Sequence, residues 1–60
     1  MHAMTMNELL RLTRAELCDL EMRALSVLPD CPETSTARSN LLFNLRNIRR
    51  VLAWLDQAPG

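Results

Sequence analysis

A run of five apolar residues in the second half of the chain restricts its fold more than any other sequence feature. The run consists of Leu41, Leu45, Ile48, Leu52 and Leu55, at intervals of four, three, four and three residues. This spacing places all five on one stripe of an α-helix, as is typical of a helix that packs against another helix. We therefore predict a helix over about 35–56, capped within Thr34–Thr36 and ending before Pro59.

A capping box marks the start of another helix in the first half of the chain. Thr13 is followed three residues later by Glu16, so each side chain can accept a hydrogen bond from the other residue's backbone N–H. We predict a helix over about 13–28, because Pro29 disfavours helical geometry in the residue before it. The predicted apolar stripe of this helix consists of Leu17, Leu20, Ala24, Val27 and Leu28, with Leu10 as an extension.

The segment between the two helices, residues 29–34, contains two prolines and is predicted to be a turn. Helices joined by so short a connection lie antiparallel. The predicted fold class is thus all-α, with one domain over 1–60 that forms an antiparallel two-helix hairpin. Residues 7–12 could add a short helical turn or extend the first helix, and the sequence leaves both open. Residues 1–6 are expected to fray.

The size of the chain predicts association. A domain of 60 residues buries only about 60% of the surface that its unfolded chain exposes, and such domains usually need disulfides, a metal or oligomerisation. No secretory signal is evident, so we expect a cytoplasmic protein with reduced Cys18 and Cys31. The single histidine, His2, and the lack of Cys-x-x-Cys spacing predict no metal and no cofactor. A homodimer that forms a four-helix bundle is then the simplest expectation.

The only two aromatic residues indicate an interface. Phe43 and Trp54 are eleven residues apart, which aligns them within about 20° on a helix, away from the apolar stripe. Asn47 and Arg50 fall between them. Because Trp and Arg are enriched at binding hot spots, we predict an oligomer or partner interface at these four residues. Met22 and Leu25, which widen the apolar side of the first helix, are added to this interface. The alternative is that the aromatics are isolated exposed side chains, which are common.

Arginine and asparagine in the second helix raise a nucleic-acid alternative. Arg38, Arg46, Arg49 and Arg50 could contact phosphates or base edges. Against this, the formal net charge is zero, whereas nucleic-acid-binding domains are usually basic. Residues 1–33 carry −3 and residues 34–60 carry +3, so we expect the two helices to attract each other. Glu21 is expected to pair with Arg38 or Arg49.

The remaining function classes are disfavoured. A single hairpin has no room for a cleft with convergent polar groups, so we predict no enzyme. No run of eighteen apolar residues is present, and the polar faces carry mixed charge, so we expect no membrane association. All seven basic residues are Arg, which favours a small bacterial protein from a GC-rich genome. The predicted function is a small, non-enzymatic helical interaction module that self-associates and acts through protein–protein contacts. The alternative is a small nucleic-acid-binding regulator.

Overall fold

Three helices and one 3₁₀ turn make up the protein in a computed structural model that describes residues 1–57. Helix α1 spans Met6–Leu10, α2 spans Arg14–Val27 and α3 spans Thr36–Gln57, and the 3₁₀ turn Leu28–Asp30 follows α2. No strand occurs within residues 1–57, so the described part of the chain is all-α. The predicted helix stop before Pro59 lies outside the described residues.

Helices α1 and α2 each begin with a capping box. The Thr13 hydroxyl accepts from the Glu16 N–H (3.1 Å) and the Glu16 carboxylate accepts from the Thr13 N–H (2.9 Å), which confirms the predicted box. Thr5 and Glu8 form a second box with the same bonds at 3.2 and 2.9 Å. Since the N-cap Thr13 has an extended backbone (φ −74°, ψ 165°), it interrupts the helix. Residues 6–10 are therefore a separate short helix, which is the first of the two possibilities that the sequence left open for residues 7–12.

Acid should weaken the fold through these two boxes. Hydrogen bonds from the Thr5 and Thr13 backbones lower the pKa of Glu8 and Glu16 below the ordinary 4.5. A lowered folded-state pKa contributes stability that is complete above 4.5 and is lost as pH falls through the folded-state value. Gln keeps the box without a charge. We expect the Glu8→Gln/Glu16→Gln variant to lose less thermal stability than the unmodified protein between neutral pH and about pH 3, measured by circular dichroism. Equal losses would contradict this expectation.

The turn between α2 and α3 is closed by Arg38. The hydroxyl of Ser35, one of the three predicted caps, accepts from the Arg38 N–H (3.1 Å) at the start of α3. The Arg38 guanidinium donates to the carbonyls of Leu28, the first residue of the 3₁₀ turn, and of Cys31, just after it (3.4 Å each). The Leu28 carbonyl also accepts from the Cys31 N–H (3.1 Å), so Arg38 adds a second bond there and ties the turn to the start of α3.

The core consists of two groups of side chains along α3. One group comprises Leu9, Leu17, Ile48 and Val51, and the other comprises Ala24, Leu41 and Leu45. Leu17, near the start of α2, packs against Ile48 and Val51 of α3. Ala24, near the end of α2, packs against Leu41 and Leu45, which come earlier in α3. Helices α2 and α3 are therefore antiparallel, as predicted. Leu52 and Leu55 of the predicted stripe are only partly buried.

Two residues of the predicted first-helix stripe are exposed. Val27 is 48% exposed, because ten residues beyond Leu17 at about 100° per residue place it roughly 80° from that buried side chain. Leu10 is 51% exposed, because it belongs to α1 and does not share the register of α2. Both residues therefore remain available at the surface.

Two ion pairs join α2 to α3. The Arg49 Nε lies 3.0 Å from the Glu21 carboxylate, which confirms the expected pairing of Glu21, and Arg14 pairs with Asp56. These side chains are largely exposed, apart from Glu21 at 24%, so each pair contributes little stability. Their main effect is on pairing direction, since both join opposite charges only when the helices are antiparallel.

Candidate interaction surface

Large apolar side chains are exposed in greater number than they are buried within residues 1–57. Seven hydrophobic residues form the buried core. Nine large hydrophobic residues are exposed, namely Met1, Met6, Leu10, Met22, Leu25, Val27, Leu42, Phe43 and Trp54. Isolated exposed apolar side chains are normal, but contiguous groups of them mark binding surfaces. The question is therefore which of these nine residues lie together.

One group of exposed side chains borders a groove between α1 and α3. The groove has a volume of about 300 Å³ and is lined by Met6 and Leu10 of α1 and by Arg50, Val51 and Trp54 of α3. Trp54 is 61% exposed although it lines the groove, and Leu10 is 51% exposed. We refer to these five residues together with Phe43, which shares the helical face of Trp54, as the Trp54 surface. It combines a largely exposed indole with an apolar recess.

The α1 wall of this groove is held by the N-terminal segment. Asn44 is fully buried, its side-chain N–H donates to the His2 carbonyl (2.6 Å), and its Oδ1 accepts from the Met4 N–H (2.8 Å). Leu9, on α1, is also fully buried against α3. Residues 1–6, which were expected to fray, are thus attached to α3 through His2 and Met4, because Asn44 satisfies two backbone groups of an extended segment. This attachment positions Met6 and Leu10.

Contrary to the prediction, Asn47 is not part of the exposed surface. Its relative exposure is only 9%, whereas Phe43, Arg50 and Trp54 are exposed as expected. The helical wheel explains the difference, since Asn47 lies one turn before Val51, which packs against Leu9 of α1. A two-helix hairpin would have left this side of α3 in water, and α1 covers it.

Met22 and Leu25 lie on α2 and form part of a different surface. Cys18, Met22 and Leu25 share one side of α2 at spacings of four and three residues, and all three are exposed. Glu21, which binds Arg49 of α3, is next to them on the helix. We call Cys18, Met22 and Leu25 the Met22 surface. An ion pair borders it, whereas no ion pair within residues 1–57 involves a residue of the Trp54 surface.

The predicted nucleic-acid residues divide into two classes. Arg38 is bonded to backbone carbonyls and Arg49 is paired with Glu21. Arg46 and Arg50 are exposed and have no carboxylate within ion-pair distance among residues 1–57. Two arginines one turn apart are therefore available to an anionic ligand, instead of the predicted four.

Residues 1–57 contain no metal-binding group of side chains and no disulfide bond. No group of three His, Cys, Asp or Glu side chains in residues 1–57 is arranged to hold a metal ion. Cys18 is exposed and Cys31 is half-buried beside the Ala24 core group. No helix in that range has the length and apolar character needed to cross a bilayer.

Comparison with known proteins identifies no relative. No protein-family model, curated protein or solved structure matches the chain. The interpretation of its surfaces therefore depends on their geometry and chemistry.

Sequence reasoning missed two components of the Trp54 surface, namely the α1 wall and its attachment to Asn44. A signal for α1 was present, since Thr5 and Glu8 have the same spacing as the capping box of Thr13 and Glu16. Nothing in the sequence distinguishes Asn44 from the exposed polar residues of α3. Its role depends on contacts with residues forty or more positions away.

Proposed function

We propose that the protein is a small, non-enzymatic helical interaction module that self-associates and acts through protein–protein contacts. The observation that supports this most strongly is the excess of exposed over buried large apolar side chains, nine against six within residues 1–57, the seventh buried hydrophobic residue being Ala24. Leaving such surface in water is unfavourable, and a second protein surface removes it from water. Exposed Trp54 and Arg50 on one helical face have the composition of an interface hot spot.

The shape of the molecule supports the same proposal. The radius of gyration is 12.0 Å, whereas a compact chain of this length has about 10 Å. Its shortest dimension is 15 Å, which is roughly the width of two packed helix backbones whose axes lie about 8–10 Å apart. A body only two helices thick leaves the outer face of each helix in water. Association would cover such a face.

The test is the solution mass measured by light scattering over a wide dilution series, with and without reductant. We expect a species of about twice the 6.9 kDa of one chain, dissociating on dilution and unaffected by reductant because both thiols are free. A monomer at every concentration would contradict self-association. If that monomer also bound duplex DNA with strongly salt-dependent affinity, Arg46 and Arg50 would become the functional residues instead.

A further inference from the structure

The geometry points to a second copy of the chain as the occupant of the groove, with Trp54 of each copy inserted between α1 and α3 of the other. This inference rests on the proposed self-association and adds the surface and the contact. It assigns the dimer interface to the Trp54 surface and not to the Met22 surface.

A largely exposed indole and an apolar recess lie side by side in the Trp54 surface. A two-fold symmetric interface uses the same patch on both copies, so the patch must be complementary to itself. Trp54, at 61% exposure, lines the α3 side of a groove whose α1 side is Met6 and Leu10. A two-fold axis beside the groove would bring each indole against the α1 wall of the other copy. The recess of about 300 Å³ has room for one aromatic side chain.

The apolar area of the Trp54 surface matches what a dimer interface needs. Met6, Leu10, Phe43 and Trp54 are 37%, 51%, 51% and 61% exposed, which corresponds to roughly 400 Å² per copy if a large side chain contributes about 200 Å². A standard interface buries about 800 Å² per partner, of which a little over half is apolar. The Trp54 surface thus supplies approximately the apolar area that a stable dimer requires.

The charges beside the two surfaces also differ. The Met22 surface lies beside the Glu21–Arg49 pair, and covering it would remove part of the water around two charges at considerable cost. In the Trp54 surface the only charged residue is Arg50, which has no ion-pair partner within residues 1–57. A guanidinium is weakly hydrated and can stack on an aromatic ring, so Arg50 can lie over an inserted indole while its edge remains in water.

Two variants test the Trp54 indole and the α1 wall of the groove separately. Trp54→Ala removes the indole, and Met6→Gln/Leu10→Gln makes the α1 wall polar. All three residues are exposed, so neither variant disturbs the buried core. We expect each variant to raise the dimer dissociation constant at least about thirtyfold, as expected for interface hot spots. Met22→Ser is the matched control, since it removes a more exposed side chain (69%) from the other surface and should leave the constant unchanged.

Mixing the two variants tests reciprocal insertion. In the mixed dimer, the intact Trp54 of the wall variant meets the intact wall of the Trp54→Ala variant, so one of the two contacts is retained. Each variant alone retains neither. We expect native mass spectrometry of the mixture to show a heterodimer at concentrations where each variant alone is monomeric. In the unmodified protein, emission of the single tryptophan should shift to shorter wavelength as the dimer forms.

The outcomes distinguish this inference from the proposed function. A dimer that withstands both variants and dissociates with Met22→Ser would overturn the assignment and leave self-association standing. Loss of the dimer in both variants without a heterodimer on mixing would overturn reciprocal insertion. A monomeric unmodified protein would overturn the proposed function itself.

Discussion

Replacing Leu17 by alanine should leave a large fraction of the protein unfolded at 25 °C. Leu17 is fully buried in the core group that joins all three helices, with Leu9, Ile48 and Val51. Truncating a buried leucine typically costs about 2–5 kcal/mol, from lost burial and from the cavity left behind. A single core in a chain this small rarely supplies more than about 3–5 kcal/mol. The expected loss is therefore comparable with the whole free energy of unfolding.

The measurement for Leu17→Ala is urea denaturation followed by far-ultraviolet circular dichroism at a fixed protein concentration. Leu25→Ala is the matched control, because it makes the same change on the same helix at a residue that is 43% exposed. We expect the control to change the free energy of unfolding by less than about 0.5 kcal/mol. Similar losses for the two variants would show that Leu25 is buried in solution, and would return the Met22 surface to consideration as the dimer interface.

Replacing Asn44 by leucine should detach the N-terminal segment from α3. The change removes the donor to the His2 carbonyl and the acceptor of the Met4 N–H, while the leucine is of similar size. We expect a loss of about 1–3 kcal/mol, since two bonds to a fully buried side chain disappear and the backbone groups must turn to water. The Met4 amide should lose its protection from hydrogen exchange, measured by nuclear magnetic resonance.

Asn40→Leu provides the control for Asn44→Leu. Asn40 lies one turn earlier on α3, is half-buried, and makes no side-chain hydrogen bond within residues 1–57. Its replacement should leave the protection of Met4 intact. If Asn44→Leu also left Met4 protected, the attachment would depend on Leu9 and not on the two hydrogen bonds. Under the proposed dimer, Asn44→Leu should also weaken association, because α1 supplies one wall of the groove.

The contacts that were predictable from sequence are those with a local or periodic signal. The capping box at Thr13 depends on residues three positions apart, and the buried stripe of α3 depends on helical spacing. The pairing of Glu21 with either Arg38 or Arg49 was expected from the opposite charges of the two halves, and the partner in the structure is Arg49. These inferences succeeded because the spacing of residues in the sequence fixes which side of a helix they share.

The exposure of Val27 and the burial of Asn47 were not predictable to the same degree. Val27 lies at the edge of its stripe, where a rotation of a helix by a few tens of degrees decides between core and solvent. Asn47 lies on a face that is exposed in a hairpin and buried once α1 is present. In both cases the outcome depends on the position of a neighbouring element.

The sequence by itself determined that the described part of the chain is all-α, where α2 and α3 begin, and that these helices lie antiparallel. Caps, prolines and apolar periodicity act over a few residues, so they can be identified from the sequence without the rest of the molecule. Only the tertiary structure decided that the N-terminal segment docks on Asn44 and that Met6 and Leu10 face Trp54 across a groove. Those contacts join residues about forty positions apart, and no local pattern encodes which of several asparagines on α3 becomes buried.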